Sequence, residues 1–582
     1  MLTYRGNHFY LDGRKFRILS GAIHYFRMPR GKWRDIIHKA RLMGLNTVET
    51  YIPWNVHEPE RGKFCFEGMY NVEAFLDEIN AEGMYAIVRP SPYICAEWDF
   101  GGLPAWLLKE EGIRLRCMDE KYISAVSAWY DRLIPLLAGH TIENGGNIIA
   151  VQIENEYGSY GNDHDYLRWL KDKMTSLGLE KTFFFTADGP GDFMLQGGTL
   201  PDVFRAVNFG SNAQQAYQIL KKYQPDAPFF CAEFWDGWFN HWGGPDTSRE
   251  RSGEDCVRQM EEILKMDGSL NLYMFYGGNN YGFMSGANMD IVDKKYLPDT
   301  GSYDYGAPLD ECGNITEKYL LMRECISRYA PVPEEELPAN TPLRSYGKYP
   351  AEGSVSLFDS LKRIGRKYIS KIPHCMEYFD QSYGYILYCT KIQGPRNEMP
   401  LTLYEVRDRA LVFADRKRIG TVDRNHEQNI SLAVEKNEVE LDVLAENLGR
   451  INYGPFMKDR KGITEGILHG RQFQFEYEIY CLPMDDLENL RFQEPVEYEE
   501  PAFYRFCVEI DECEDTWMDM SGWTKGVVSV NGMLLGRYWN IGPQKGICLP
   551  KEFLREGENE IIIFEEEKAG KYLVLEEKAE EE

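Results

Sequence analysis

The sequence has 582 residues, of which 43% are apolar and 14% aromatic, a composition expected for a folded protein of about two to four domains. Its formal net charge of −27 repels phosphate backbones and anionic lipids, which argues against nucleic-acid binding and membrane-surface functions. The sequence shows neither an apolar run long enough to span a membrane nor a signal-peptide pattern, so we expect a cytoplasmic protein.

The first 330 residues alternate short apolar strands with amphipathic helices, which predicts a parallel α/β architecture. The strands are apolar on both faces, as expected when helices cover a parallel sheet, and eight strands close a (β/α)8 TIM barrel. Helical patterns between the strands include residues 31–44 and 163–178. The predicted strands cover residues 16–26, 46–52, 84–91, 147–156, 181–188, 203–211, 228–235 and 269–278.

Residues 331–343, PVPEEELPANTPL, contain four prolines and a glutamate run and are predicted to form a linker. After this linker the apolar period becomes two, which predicts two all-β jelly-roll or sandwich domains. We expect the barrel over residues 1–330, the first sandwich over 344–485 and a second, galactose-binding-like jelly roll over 486–582. Predicted strands cover residues 382–392, 409–422, 439–449, 503–510, 526–539 and 559–567.

Acidic residues stand at the C-terminal ends of two predicted barrel strands, where this fold places catalytic groups. The fourth strand runs into VQIENEYGSYG, with Glu154 and Glu156, and the seventh ends near Glu233 in CAEFWDGWFNHWG. A lone glutamate at such a position is more often part of an acidic surface loop. Two on one rim instead form the carboxyl pair that glycoside hydrolysis requires. Glu154 and Glu156 have the same strand parity, so the pattern alone does not separate them.

Several long motifs in a fixed order resemble glycoside hydrolase family 35, the retaining β-galactosidases: TYIPWNVHEP, PYICAEWDFGGLPAWLL, VQIENEYGSYG and CAEFWDGWFNHWG. Downstream, ENLGRINYG and NGMLLGRYWNIGPQ extend the resemblance over the whole chain. The resemblance implies that Glu156 is the acid/base, that Asn155 bonds the sugar 2-hydroxyl and that Glu233 is the nucleophile. Implied galactose contacts come from Tyr51, Cys95, Ala96, Glu97 and Tyr305, with Tyr273 beside the nucleophile.

Three aromatic residues bear on linkage specificity. The EFWDGWFN sequence, with Trp235 and Trp238, resembles a compact intracellular bacterial subgroup that prefers β-1,3-linked galactose on an N-acetylhexosamine. Tyr453, in GRINYG, resembles an aromatic residue of the β-domain that lines the acceptor side in that subgroup. The alternative is that these side chains only pack between the barrel and the sandwich.

Thirteen cysteines are scattered without CxxC pairs, which predicts reduced thiols, mostly buried, and argues against a structural zinc site. His24 and His57 lie near the predicted rim, and we interpret both as hydrogen-bonded structural histidines rather than ligands. No calcium loop, metalloprotease, dinucleotide, P-loop or GxSxG motif is present. We therefore expect no metal and no cofactor.

Together these observations predict a cytoplasmic, retaining exo-β-galactosidase that acts on galactose-terminated oligosaccharides. An exo-β-glucosaminidase of the same family is an alternative. The residues around the sugar 2-position distinguish the two activities, and Asn155 alone does not decide between them. A non-catalytic carbohydrate-binding protein is a second alternative, but it predicts the loss of one carboxylate, and both are present. No nucleic-acid or membrane partner is expected, and the oligomeric state is left open, a homodimer included.

Overall fold

A computed structural model describes residues 1–577 of the protein. The chain opens with a small antiparallel sheet of β1 (Leu2–Arg5), β2 (His8–Leu11) and β3 (Arg14–Phe16). Phe9 of this sheet packs against Phe183, Phe204 and Phe230, which lie at the beginnings of later strands. The sheet therefore covers the end of the β-barrel at which its strands begin.

Eight parallel strands form a closed barrel in which the first strand pairs with the last through Leu19 and Leu270. Each predicted strand overlaps an observed one, and the predicted TIM barrel is confirmed. Nearly every strand side chain is buried because the helices cover the outer face. The barrel strands are β4 (Leu19–Ile23), β5 (Thr47–Tyr51), β6 (Tyr85–Arg89), β7 (Ile148–Gln152), β8 (Phe183–Asp188), β9 (Phe204–Phe209), β10 (Phe230–Trp235) and β11 (Ser269–Tyr276).

Helices connect the strands, and their first turns are fixed by polar caps. Asp119 and Asp163 each accept a hydrogen bond from the backbone nitrogen three residues later, which satisfies a donor that the first turn leaves unpaired. Helices occupy both predicted segments, 31–44 and 163–178. The α-helices are α1 (Trp33–Met43), α2 (Trp54–His57), α3 (Val72–Ala81), α4 (Glu120–Gly139), α5 (Tyr157–Tyr160), α6 (His164–Met174), α7 (Asp192–Gly197), α8 (Ala213–Tyr223), α9 (Gly253–Lys265), α10 (Glu317–Ser327) and α11 (Leu357–Ile364).

The remaining strands form a short hairpin beside the barrel and two β-sandwiches, so the predicted all-β domains are confirmed. In chain order they are β12 (Ala287–Met289), β13 (Tyr296–Pro298), β14 (Gly347–Tyr349), β15 (Gly353–Ser356), β16 (Arg366–Ser370), β17 (Tyr385–Gln393), β18 (Arg396–Arg407), β19 (Arg409–Ala414), β20 (Lys417–Asp423), β21 (Ser431–Val434), β22 (Glu438–Glu446), β23 (Gly462–His469), β24 (Gln472–Phe473), β25 (Tyr477–Leu482), β26 (Ala502–Ile510), β27 (Thr516–Asp519), β28 (Lys525–Val530), β29 (Met533–Trp539), β30 (Gly546–Leu549), β31 (Gly557–Glu565) and β32 (Leu573–Glu576).

The first sandwich is inserted into the second. After the linker, β14 pairs with β32 and β15 pairs with β26, so both strands belong to the sheets of the C-terminal sandwich. The chain then builds the first sandwich from β16–β25 before it returns to the second. The sequence-based division assigned residues 347–356 to the first sandwich, because strand pairing between distant segments leaves no local pattern.

Buried ion pairs join the three domains. Arg450 of the first sandwich bonds Asp99 of the barrel over 3.1 Å and Glu377 over 2.6 Å. Between the sandwiches, Lys525 of the second contacts Glu446 of the first, and Lys525 also bonds Glu566 of its own sandwich over 3.0 Å. Removing one partner of such a buried pair typically costs about 3–5 kcal/mol, so these contacts fix how the domains meet.

One disulfide corrects the prediction that all cysteines are reduced. Cys312, in the barrel segment after β13, is bonded to Cys548 of β30, and their Cα atoms lie 6.4 Å apart, within the usual range for a disulfide. The two residues are 236 positions apart, a separation that sequence spacing does not reveal. Eleven cysteines are free, four of them buried and seven partly buried, so the thiols are also less buried than predicted.

Residues 1–577 include no helix that combines the length and the apolar character needed to cross a membrane.

Candidate active site

A cavity of about 210 Å³ opens at the C-terminal ends of the barrel strands. Every site residue predicted from the sequence lines it. Two further lining residues, Phe239 and Asn288, were not predicted. The lining residues are Tyr51, Cys95, Ala96, Glu97, Asn155, Glu156, Glu233, Trp235, Trp238, Phe239, Tyr273, Asn288, Tyr305 and Tyr453.

Glu233 lies in β10, and its carboxyl accepts hydrogen bonds from side chains of three different strands. The Tyr51 hydroxyl, at the end of β5, lies 2.8 Å from Glu233 Oε1, and Arg89 Nη2 donates to the same oxygen over 2.6 Å. Trp235 Nε1 donates to Glu233 Oε2 over 3.0 Å. Hydrogen bonds from a guanidinium, a hydroxyl and an indole therefore fix the orientation of both Glu233 carboxyl oxygens.

Arg89, at the end of β6, connects the two halves of the site. Its Nη2 atom donates over 2.6 Å to both Glu233 Oε1 and Asn155 Oδ1, and its guanidinium lies 3.9 Å from the centre of the Tyr51 ring. On its other side, Nη1 lies 3.5 Å from Glu49, whose pKa burial raises to about 7. Arg89 was not among the predicted site residues, although a basic residue within an apolar strand indicates a buried charge with a partner.

Glu156 follows β7 and has a different environment. Its backbone is left-handed, with φ 46°, and directs the residue into the cavity, where Asn208 Nδ2 donates to Oε1 over 3.0 Å. Burial and the nearby Glu233 charge raise the pKa of Glu156 to about 8. A carboxyl with this pKa keeps its proton near neutral pH, as a general acid must.

The structure separates Glu154 from Glu156. The Glu154 carboxylate accepts two hydrogen bonds from the Arg116 guanidinium, over 3.0 and 2.8 Å. It also accepts one from the Tyr166 hydroxyl over 3.0 Å and one from the Asn155 backbone nitrogen over 2.6 Å. It is buried outside the cavity lining. Glu154 therefore has a structural environment, and Glu156 is the glutamate of this segment that lines the cavity.

The turn after β6 presents consecutive residues with left-handed backbones to the cavity: Cys95, Ala96 and Glu97 have φ of 58°, 60° and 49°. Three such non-glycine residues in a row cost conformational energy, and strain of this kind concentrates at functional sites. The Ala96 carbonyl accepts a hydrogen bond from Arg27. Burial and nearby carboxylates, including Glu156, raise the pKa of Cys95, so its side chain is a neutral thiol rather than a nucleophile.

Glu97, Tyr273 and Tyr305 contribute further polar groups to the cavity lining. The Glu97 carboxylate accepts a hydrogen bond from Tyr303, and burial raises the pKa of Glu97 to about 7. Tyr273 lies in β11, and its ring is 5.6 Å from that of Tyr305 in an edge-to-face contact. These groups provide hydroxyl and carboxyl partners for a polyhydroxylated ligand.

Aromatic side chains surround the mouth of the cavity. The Trp235 and Trp238 rings meet at 5.7 Å, and Phe239 stacks on Trp238 at 5.0 Å. Trp238 keeps 41% of its surface exposed. Tyr453 reaches the cavity from the first sandwich. These rings do more than fill the space between domains, because all four line the cavity.

His24 and His57 are buried and lie outside the cavity lining. His57 bonds the Tyr25 hydroxyl over 2.6 Å and the Cys65 carbonyl over 2.7 Å, and His24 lies 3.1 Å from Arg27. Burial lowers the pKa of both imidazoles, so both are neutral near pH 7. Both histidines therefore have the structural environment that we expected of them.

Comparison with known proteins gives consistent matches along the chain. Residues 8–329 match the model for glycosyl hydrolases family 35, residues 373–483 the first all-beta domain of beta-galactosidase and residues 501–559 the galactose-binding domain of beta-galactosidase. A β-galactosidase of Xanthomonas manihotis is 43% identical over 94% of this chain and 90% of its own. Those of Felis catus and Homo sapiens are 38% and 37% identical, over 98% and 97% of this chain and 88% and 87% of theirs. The chain therefore belongs to glycosyl hydrolase family 35.

Proposed function

We propose that the protein is a retaining exo-β-galactosidase that releases terminal β-D-galactose from oligosaccharides. The observation that carries the proposal is the contrast between two carboxyls in one cavity. Glu233 is held by Arg89, Tyr51 and Trp235, whereas burial and the Glu233 charge raise the pKa of Glu156. Opposite environments of this kind assign one carboxyl as nucleophile and the other as acid. The β-galactosidases among the relatives support the choice of sugar.

In the first step Glu233 attacks the anomeric carbon, while Glu156 gives its proton to the leaving oxygen. This forms a covalent galactosyl-enzyme and a now ionised Glu156. In the second step Glu156 takes a proton from water, which attacks the same carbon and releases galactose with the original β configuration. The raised pKa suits Glu156 to both roles near neutral pH.

The size of the cavity supports exo action. At about 210 Å³ it is smaller than the pockets that hold drug-sized ligands, about 300–1,000 Å³, and it suits one terminal sugar. We assign the galactose hydroxyls to the left-handed turn at residues 95–97, to Tyr305 and to Tyr273. Asn155 is held by Arg89 and Gln152 through its oxygen, which leaves its amide nitrogen to donate to the sugar 2-hydroxyl.

We assign the leaving sugar to the aromatic mouth, with a preference for β-1,3-linked galactose on an N-acetylhexosamine. Trp235, Trp238 and Tyr453 offer apolar faces on which the acceptor ring can stack. The position of an acceptor ring relative to the catalytic pair depends on the linkage, so these fixed faces favour one linkage over another.

The experiment compares galactose release from Galβ1-3GlcNAc and Galβ1-4GlcNAc by wild type, Glu233→Gln and Trp238→Ala. We expect wild type to release galactose faster from the first disaccharide and Glu233→Gln to lose activity on both. Trp238→Ala should bring the two release rates closer together. Equal rates on both disaccharides would contradict the linkage preference but would still agree with β-galactosidase activity. Release from neither by folded wild type would contradict the function itself, and β-glucosaminides would be tested next.

A further inference from the structure

Asn288 lines the catalytic cavity, and its backbone is fixed from two sides. It lies in β12, where it pairs with Leu297 of β13. The carbonyl of the preceding residue, Ala287, accepts a hydrogen bond from the Asn452 backbone nitrogen over 2.9 Å. Asn452 directly precedes Tyr453, so Asn288 is anchored beside the segment of the first sandwich that brings an aromatic ring to the cavity.

The amide oxygen of Asn288 is engaged outside the cavity lining. Asn288 Oδ1 lies 3.1 Å from Nε2 of His241, and the same nitrogen lies 3.3 Å from Asp299 Oδ1. Burial lowers the pKa of His241, so its imidazole is neutral near pH 7 and carries one proton. Two oxygen acceptors beside Nε2 favour the tautomer with the proton on that nitrogen. His241 does not line the cavity, so it holds the Asn288 oxygen away from a ligand there.

The amide nitrogen of Asn288 is left for a ligand. Within residues 1–577, Asn288 Nδ2 donates to no side chain or backbone group, and the residue is partly exposed. An amide nitrogen has two hydrogens to donate and no capacity to accept. Because Asn288 lines the cavity while its oxygen bonds His241, the nitrogen is the polar atom that a bound sugar can reach.

Asn288 belongs to the aromatic side of the cavity. The ring of its partner His241 meets the Phe239 ring edge to face at 5.3 Å, and Phe239 stacks on Trp238 at 5.0 Å. Asn288 is thus linked through His241 to one part of the aromatic mouth and through its own backbone to Tyr453, the other part. The mouth is where we assign the leaving sugar, so a group that bonds Asn288 comes from that sugar.

A free N–H donor close to aromatic rings matches an acetamido group. The acetamido carbonyl accepts hydrogen bonds, and its methyl group is apolar and packs on a ring such as Phe239. A hydroxyl at the same position of a plain hexose can satisfy the donor, but it offers the ring no apolar contact. This difference separates an N-acetylhexosamine from a hexose.

We propose that Asn288 is a specificity-determining residue whose amide nitrogen donates to the acetamido carbonyl of the N-acetylhexosamine that carries the terminal galactose. The inference rests on the proposed function and deepens it. The aromatic rings of the mouth favour a linkage, whereas Asn288 recognises the substituent at the 2-position of the leaving sugar. The reaction itself stays with Glu156 and Glu233.

The experiment measures kcat/KM for Galβ1-3GlcNAc and for Galβ1-3Glc, which share one linkage and differ only in the acetamido group. Wild type is compared with Asn288→Asp, which keeps the shape of the side chain and replaces the donor with an acceptor, and with Asn288→Ala. Asn437→Asp is the matched control, because Asn437 is an exposed asparagine between β21 and β22, outside the cavity. Thermal unfolding of each variant checks its fold.

We expect wild type to favour Galβ1-3GlcNAc by about tenfold in kcat/KM, as one hydrogen bond allows. Both Asn288 variants should bring this ratio close to one, and Asn437→Asp should preserve it. Equal kcat/KM values for the two disaccharides in wild type would overturn the proposal, as would an unchanged ratio in the Asn288 variants, whatever their loss on both substrates. If wild type releases galactose from neither disaccharide nor from an aryl β-galactoside, the proposed function itself fails.

Discussion

Arg89 donates to Glu233 over 2.6 Å through a nitrogen that also donates to Asn155, so one guanidinium orients the proposed nucleophile and its neighbour. An ammonium is a point charge and cannot reproduce this planar arrangement. We expect Arg89→Lys to lower kcat/KM for an aryl β-galactoside by about 10²- to 10³-fold, the usual effect of removing an oriented donor from an active site.

The matched control for this variant is Arg168→Lys, because Arg168 pairs with Asp202 at the surface. We expect its kcat/KM to equal that of wild type, since exposed ion pairs contribute little. Wild-type activity in a folded Arg89→Lys preparation would show that the guanidinium has no positioning role.

The two glutamates of VQIENEYGSYG should differ in what their substitution changes. Glu156→Gln removes the acid, so we expect kcat for a galactosyl disaccharide to fall by about 10²- to 10⁴-fold while the thermal midpoint stays constant. Glu154→Gln leaves Arg116 buried without its counter-charge, which costs about 3–5 kcal/mol and lowers the midpoint. In the folded fraction its kcat should remain within about tenfold of wild type.

Thermal unfolding and steady-state kinetics on both glutamine variants check this prediction. The reverse result, in which Glu154→Gln loses catalysis and Glu156→Gln loses stability, would exchange the roles given to the two residues.

Asn208 should tune the pH range of the enzyme. Its hydrogen bond to Glu156 favours the carboxylate form and lowers the pKa of Glu156 against the larger effects of burial and Glu233. Activity requires protonated Glu156, so kcat/KM falls as pH rises through that pKa. Asn208→Ala removes the stabilisation of the charged form, and we expect the alkaline limb to move to higher pH by about one unit. A shift to lower pH in the kcat/KM profile would contradict this assignment.

The Cys312–Cys548 disulfide predicts a definite thiol count. Protein purified without reductant and then denatured should show eleven titratable thiols, and thirteen after reduction. Because the bond closes a long loop between two domains, Cys548→Ser should lower the free energy of unfolding by about 2–4 kcal/mol. Thirteen thiols before reduction would show that the pair is not bonded.

Much of the barrel is evident from sequence because its strands are apolar on both faces and end in polar residues. Tyr51, Glu156 and Glu233 therefore stand out as rim residues. Glu154 and Glu156 cannot be separated by strand alternation, because β7 ends at Gln152 and both glutamates have left-handed backbones, with φ of 55° and 46°. Alternation between faces no longer applies beyond the strand.

Other features depend on contacts between distant residues. Arg89 and Asn208 lie inside predicted strands, and only the folded barrel shows that they face Glu233 and Glu156. The pairing of β14 with β32 and the Cys312–Cys548 bond each join segments more than two hundred residues apart. Local periodicity has a range of a few residues, so it contains no information on either.

The most direct test of the account is to identify the residue that becomes galactosylated. A 2-deoxy-2-fluoro-β-galactosyl donor with a good leaving group traps the intermediate, because the fluorine slows its hydrolysis more than its formation. Peptide mapping by mass spectrometry should then find one fluorogalactosyl group on Glu233 and none on Glu154 or Glu156. A label on another carboxyl, or turnover of galactosides by an enzyme that accumulates no label, would contradict the assignment of Glu233 as the nucleophile.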